Sequence, residues 1–162
     1  MLAPAITFYN FIIGIHVVAV VLAFGILFLY PLMGLVGAQV SDQARPWWHR
    51  FHFTIHTKVQ APALVLVLAA GIYLATDSHQ WSQFFVQWGL AAVIVIAGIG
   101  GALITPRERK LIELSDSELA AAGGGPVTTS AEYNQTLTTV RRLQDLQLLI
   151  TIVTIVIMTT QP

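Results

Sequence analysis

Cysteine is absent from this chain of 162 residues. That excludes disulfides, thiolate metal centres, iron–sulfur clusters held by cysteine and covalently attached c-type haem. Charge is almost as scarce: 10% of the residues are charged and 56% are hydrophobic. A soluble domain carries roughly 25% charged residues, so a single unit whose surface largely meets lipid is expected. Eight Lys and Arg balance eight Asp and Glu, which leaves no basic field for nucleic acid, and nucleic acid is not expected as a partner. No Lys or Arg stands in Met1 to Asn10. The start lacks the positive region of a secretory signal, and the first apolar segment is read as a retained helix. A nucleophile–base pair, a phosphate loop and paired catalytic carboxylates are also missing. No catalytic residue is assigned, and oxidoreductase chemistry would have to be carried by a cofactor.

What the chain has is long apolar runs. Tyr9 to Tyr30 is the longest, with one ionisable residue, His16, near its middle. The expected fold is all-α: an integral membrane four-helix bundle, one domain over 1–162, with helices at about 7–30, 49–76, 82–105 and 143–160. Pro31 and Pro106 read as natural stops for the first and third helices. Between the third and fourth lies a polar loop, 106–142. Within it Ser115–Glu118 and Thr129–Glu132 fit the capping-box pattern, a hydroxyl followed three residues later by Glu. Gly123-Gly124-Gly125-Pro126 separates them, so a short surface helix, a turn and a helix running into the fourth span are expected.

Arg45, Arg50, Lys58, Arg107, Arg109, Lys110, Arg141 and Arg142 all fall on one side of such a bundle. The positive-inside rule then places both termini outside and the long loop in the cytoplasm. Trp47, Trp48 and Phe51 suit the inner interface, and Tyr9, Trp81 and Trp88 the outer one. Lys58 is expected to snorkel to the inner headgroups, and Asp145 to pair with Arg141 or Arg142 one turn earlier. Small residues at four-residue spacing, Ala97/Gly101 and Gly98/Ala102, are expected to let helices approach closely. Gln147, Thr151 and Thr154 form a polar stripe that should face the bundle interior.

An ionisable residue inside a membrane segment points to function and needs a partner. His49, His52, His56 and Gln60 share one helix face at 100° per residue. His49 and His52 read as boundary residues that water solvates, and His79 as an ordinary loop residue. His52 and His56, one turn apart, are also spaced to chelate one metal ion. His16 and His56 are expected at similar depth, roughly 5–10 Å apart, so that two neutral imidazoles would take the axial positions of one haem iron. Ala19 and Ala23 beside His16, and Ala63 and Ala70 beside His56, would leave room for a flat macrocycle. The alternative is a buried imidazole bonded to a carbonyl, to Thr151 or to Gln147.

The stretch from His16 to Gly25 followed by Tyr30-Pro31 resembles an uncharacterised four-span family of bacterial integral membrane proteins, a domain of unknown function. So do Ala61 to Leu64, Gly71 to Leu74, Arg142 to Asp145 and the terminal Gln161-Pro162. More distantly the chain is similar to HemJ-type protoporphyrinogen oxidases and to the membrane domain of the copper-resistance CopD proteins. The resemblance implies a multi-pass protein of the bacterial inner membrane, and a haem-binding role for His16. The basic residue and histidine that HemJ-type enzymes carry in helix three have no counterpart, as Gln87, Trp88 and glycines stand there. His56 as a ligand rests on spacing alone.

These readings converge on a membrane protein that binds haem b for electron transfer through His16, with His56 second and His52 as substitute, His16 and His56 being the iron ligands. Its expected partners are the lipid bilayer and other membrane subunits or further copies of itself. Two alternatives remain at this stage, a cofactor-free accessory subunit and a copper-handling protein using His52 and His56.

Overall fold

Each apolar run forms a long helix in the computed structural model, which describes residues 7–161. Pro162, part of the terminal motif, and the first six residues lie outside the described residues. The first span is α1, Phe8–Gly37, opened by Thr7, whose hydroxyl accepts from the Asn10 N–H. The second joins α2, Arg45–Ile55, through a π-helical turn, His56–Gln60, to α3, Ala61–Asp77. The third joins α4, Phe84–Gly98, through a second π-helical turn, Ile99–Ile104, to α5, Thr105–Ala122. The fourth is α6, Ala131–Thr160. No strand is present among the described residues.

These four helical spans are long and apolar enough to cross a membrane. The third runs for 39 residues, about 58 Å at 1.5 Å per residue, against a hydrocarbon layer of about 30 Å. The bundle therefore has two halves. In the apolar half α1 packs on α3 and α6, and α4 on α3 and α6. Its core holds Ala19, Ala23, Leu27, Ala63, Val67 and Ile96. In the polar half α5 packs on α2 and α6, over a smaller core of Ile104, Leu111, Tyr133 and Val140. Exposed pairs, Arg50 with Asp116 and Lys110 with Glu132, tie these helices together at the surface; such pairs contribute at most about 1 kcal/mol each.

Proline does not stop the helices where the sequence alone says it should. α1 passes through Pro31 to Gly37, seven residues beyond the expected end. The third span passes Pro106 without a break, so 106–142 is not a loop: α5 and the first half of α6 occupy it. Pro62 and Pro106 each stand in the first turn of the α-helix that follows a π-turn. A proline ring collides with the carbonyl four residues back and offers no N–H. The wider π-turn moves that carbonyl away, and the chain continues. In the second turn the Thr105 hydroxyl donates to the Gly100 carbonyl at 2.9 Å, which satisfies part of the disturbed ladder.

Capping also departs from the expectation. Ser115 is buried inside α5 and donates to the Ile112 carbonyl, so it caps nothing. The cap of α6 is Ser130, not Thr129: its hydroxyl accepts from the Tyr133 N–H at 3.1 Å. Glu118 reaches across the Gly123–Gly125 turn and accepts from the Ser130 N–H at 2.9 Å. Ala97, Gly98, Gly101 and Ala102 face outward, so they do not serve packing within the bundle; of that stretch only Gly100 is buried. Asp145 is exposed, and it makes no ion pair with Arg141 or Arg142 among the described residues. Lys58 is exposed, and His79 lies exposed in a left-handed turn. Ser130→Ala should lower stability by about 1 kcal/mol, read as a reduced thermal midpoint in detergent, whereas Thr129→Ala should leave it nearly unchanged.

Candidate functional site

Seen from one helix, α6, the interior is polar along its whole length. Gln144, Gln147, Thr151 and Thr154 are all buried and follow one stripe toward the apolar end. Their neighbours divide into two places, one at the junction of the halves and one in the apolar half.

At the junction the two π-turns lie against each other. His56 opens the first, and its ring rests on Gly100 in the second. A Cβ at position 100 would stand 3.1 Å from His56 Nε2 and 3.4 Å from the Gln147 amide nitrogen. Glycine lets the imidazole and the amide lie close on the helix backbone there; a larger residue would require them to shift by a few tenths of an ångström. Gln147 donates to the Ile96 carbonyl at 2.8 Å, just ahead of the second π-turn. Gln60, closing the first, accepts from the Tyr30 hydroxyl at 2.9 Å. Glu108 comes in from α5, and its Oε2 stands 3.7 Å from His56 Nδ1. That separation is beyond hydrogen-bond length.

The junction is tightly enclosed. His56 and Glu108 are 5% and 3% exposed. Yet His56 Nδ1, both Glu108 oxygens, Gln60 Nε2, Gln147 Oε1 and Thr151 Oγ1 are buried without a hydrogen-bond partner in the protein. Buried polar atoms in folded chains are nearly always paired, with protein, water or ligand. So many orphans in one place mark a site rather than ordinary packing. Toward the polar end Glu108 lines a small cavity of about 70 Å³, together with Tyr30, His49, His52, Arg45 and Arg141. That volume accommodates several waters.

In the apolar half, reaching to Tyr9, Gln80, Trp81 and Thr159 at the ends of the spans, lies a larger pocket, about 450 Å³, between α1, α3, α4 and α6. Val20, Phe24, Val67, Leu68 and Val93 line it, with His16 on one wall and Thr151, Thr154 and Met158 on another. His16 leans on α3, its Cε1 3.3 Å from the place of a Cβ on Gly71. Its Nδ1 is buried without a partner. Trp88 donates to the Thr154 hydroxyl at 3.1 Å and closes that side.

The fold does not bring His16 and His56 together. Gly71, beside His16, is fifteen residues beyond His56 on one continuous helix, about 20 Å along its axis. Tyr30, which bonds Gln60 in the first π-turn, lies fourteen residues beyond His16 on α1, and gives the same separation. Metal–imidazole bonds are about 2 Å, so one iron held by both rings needs them about 4 Å apart. The expected 5–10 Å difference in depth is thus corrected, and paired ligation with it. The spans are longer than a bilayer, so counting residues from their ends misjudges depth.

The other histidines find ordinary roles. His49 is not solvated: it is buried and bonds the Tyr133 hydroxyl at 2.7 Å. His52 packs between the rings of Tyr30 and Trp48. Among the described residues no three His, Asp or Glu side chains converge in one group that could hold a metal ion. Ala19 and Ala23 are buried in the helix-packing core and do not line the pocket.

Glu108 is the residue that sequence reasoning missed, since it lay beyond the supposed stop at Pro106. Its signal was periodicity: Ile104, Glu108, Leu111 and Ser115 form one buried helical face. No family model, curated protein or solved structure matches the chain. Tyr30→Phe should leave Gln60 unpaired and cost about 1–3 kcal/mol. In a double-mutant cycle with Gln60→Leu, followed by unfolding in detergent, the combined loss should fall short of the sum.

Proposed function

We propose that the chain is a multi-pass membrane protein that binds b-type haem through His16 and passes electrons. The observation that carries this reading is the large pocket. It measures about 450 Å³, within the range of cofactor sites; its wall is apolar, and one imidazole nitrogen beside it has no partner. An apolar pocket with one unpartnered imidazole nitrogen beside it fits a large flat ligand that seeks a nitrogen donor. Haem, when bound, supplies one-electron chemistry. His16 would hold the iron, Val20, Phe24 and Leu68 would meet the macrocycle, and Met158 is the second donor the pocket offers, a thioether being an established axial ligand. His56 and His52 are not ligands in this reading. Electrons would come from another membrane subunit, as the sequence has no dinucleotide or second redox motif.

The polar half belongs in the cytoplasm of a bacterial cell on this reading, because seven of the eight basic residues lie there and the eighth, Lys58, lies at the junction that borders it. The absence of native cysteine makes the orientation directly testable. A single Ser117→Cys should react with an impermeant maleimide only after the inner membrane is opened, whereas Gln80→Cys should react from the periplasmic side of intact spheroplasts.

The haem test is a dithionite-reduced minus oxidised spectrum of protein made with haem supplied and purified in mild detergent. A sharp b-type α-band is expected, lost in His16→Ala and retained in His56→Ala and His52→Ala. A flat wild-type spectrum, with lipid retained in the pocket instead, would sink the proposal.

A further inference from the structure

The pair of Glu108 and His56 at the junction between the two halves does not line the large pocket and is used by nothing described so far. It joins the least exposed carboxylate of the described residues to a buried imidazole, in a chain where the membrane-spanning helices carry few charges. The carboxylate of Glu108 accepts no hydrogen bond; His56 Nδ1 stands 3.7 Å from it, and Tyr30 lines the same cavity. Ionised and alone, a buried carboxylate is very costly. Its charge must be met by a cation or removed by a proton.

The groups that face Glu108 come from every helix around it. From α1 there is Tyr30, and from the first π-turn His56. From α2 come Arg45, His49 and His52, which line the small cavity with it, and from α6 come Tyr133 and Arg141. The arginines are engaged or distant: Arg45 pairs with Asp42 and covers the Tyr133 ring, and Arg141 is exposed and forms no ion pair with Glu108. On α5 itself, Arg107 donates to the Leu103 carbonyl and Arg109 lies over the Phe53 ring. His49 is held by Tyr133. His52 Nε2 is also buried without a partner, but His56 Nδ1, at 3.7 Å, is the ring nitrogen close to the carboxylate. Glu108 lines a cavity sized for water on the basic side, its two oxygens covered from it.

We propose that Glu108 and His56 form a proton-binding site filled from the polar end through the small cavity. When the cover over its oxygens opens, hydronium in the cavity gives its proton to the Glu108 carboxylate and leaves as water. A shortening of the 3.7 Å gap then transfers that proton to His56 Nδ1, which restores the carboxylate beside an imidazolium. The pair is neutral with one proton whichever group holds it, so the proton moves between the two groups without changing the net charge of the site, and burial favours keeping it bound. The π-turns are what make the pair possible: they seat the His56 ring on Gly100 and turn Glu108 inward below it.

The test is infrared difference spectroscopy on the full chain in lipid nanodiscs, stepping pH through neutrality in H2O and in D2O. The expected result is a protonated-carboxyl band that shifts in D2O, disappears as pH rises and is absent from Glu108→Gln. In His56→Gln the band should persist to a proton concentration at least tenfold lower, because the ionised carboxylate then faces no partner cation. If Glu108→Gln does not fold, Glu108→Asp serves the assignment through its displaced band. A carboxyl band that never responds to pH would overturn the proposal and leave Glu108 a static packed acid. So would a response unaltered in His56→Gln, or one reproduced by sodium at fixed pH, which would make the site one for a metal cation.

Discussion

Helical continuity is the constraint on which this structure depends. A backbone in hydrocarbon must satisfy its own N–H and C=O groups, so a chain of this composition cannot break its helices cheaply even where proline stands in them. Pro31, Pro62 and Pro106 are all carried inside long spans. Two of the three follow a π-turn that relieves the collision. From that follow the extra length of the spans, the polar half built on α2, α5 and α6, and the meeting of the two π-turns around His56 and Gly100.

The polar interior is held to the same accounting. Gln147 spends its amide on the Ile96 carbonyl, Tyr30 its hydroxyl on Gln60, and Thr154 bonds both Trp88 and its own helix. Those bonds leave a remainder at the junction that protein atoms do not meet. The orphaned atoms cluster most densely where a carboxylate and an imidazole face each other. Stability alone would favour apolar residues of similar volume there.

Much of the architecture was legible from composition and period. Four apolar runs become four spans, the Gly123–Gly125 stretch becomes the turn between α5 and α6, and the stripe of Gln147, Thr151 and Thr154 faces inward as its spacing requires. The site was legible only in part. His16 and His56 are both near the interior, but a count of residues cannot reveal that they lie on different levels of a bundle longer than a bilayer is thick. Glu108 was hidden by treating Pro106 as an end, a rule drawn from helices in water, where a broken ladder can be solvated. Ser130 was passed over for Thr129 because both are hydroxyls, and only the backbone turn decides between them.

The π-turns have one more consequence, for the rotational phase of the molecule. Each inserts an extra residue, and an α-helix advances about 100° per residue. The third span is thus two screws joined out of step, one keyed to the apolar half and one to the polar half. Remove a residue from 99–104, and everything after Thr105 swings by about that angle. Glu108, Leu111 and Ser115 would then leave the interior together, while α4 stayed where it is. The length of this short turn, more than any side chain in it, is what indexes one half of the bundle against the other.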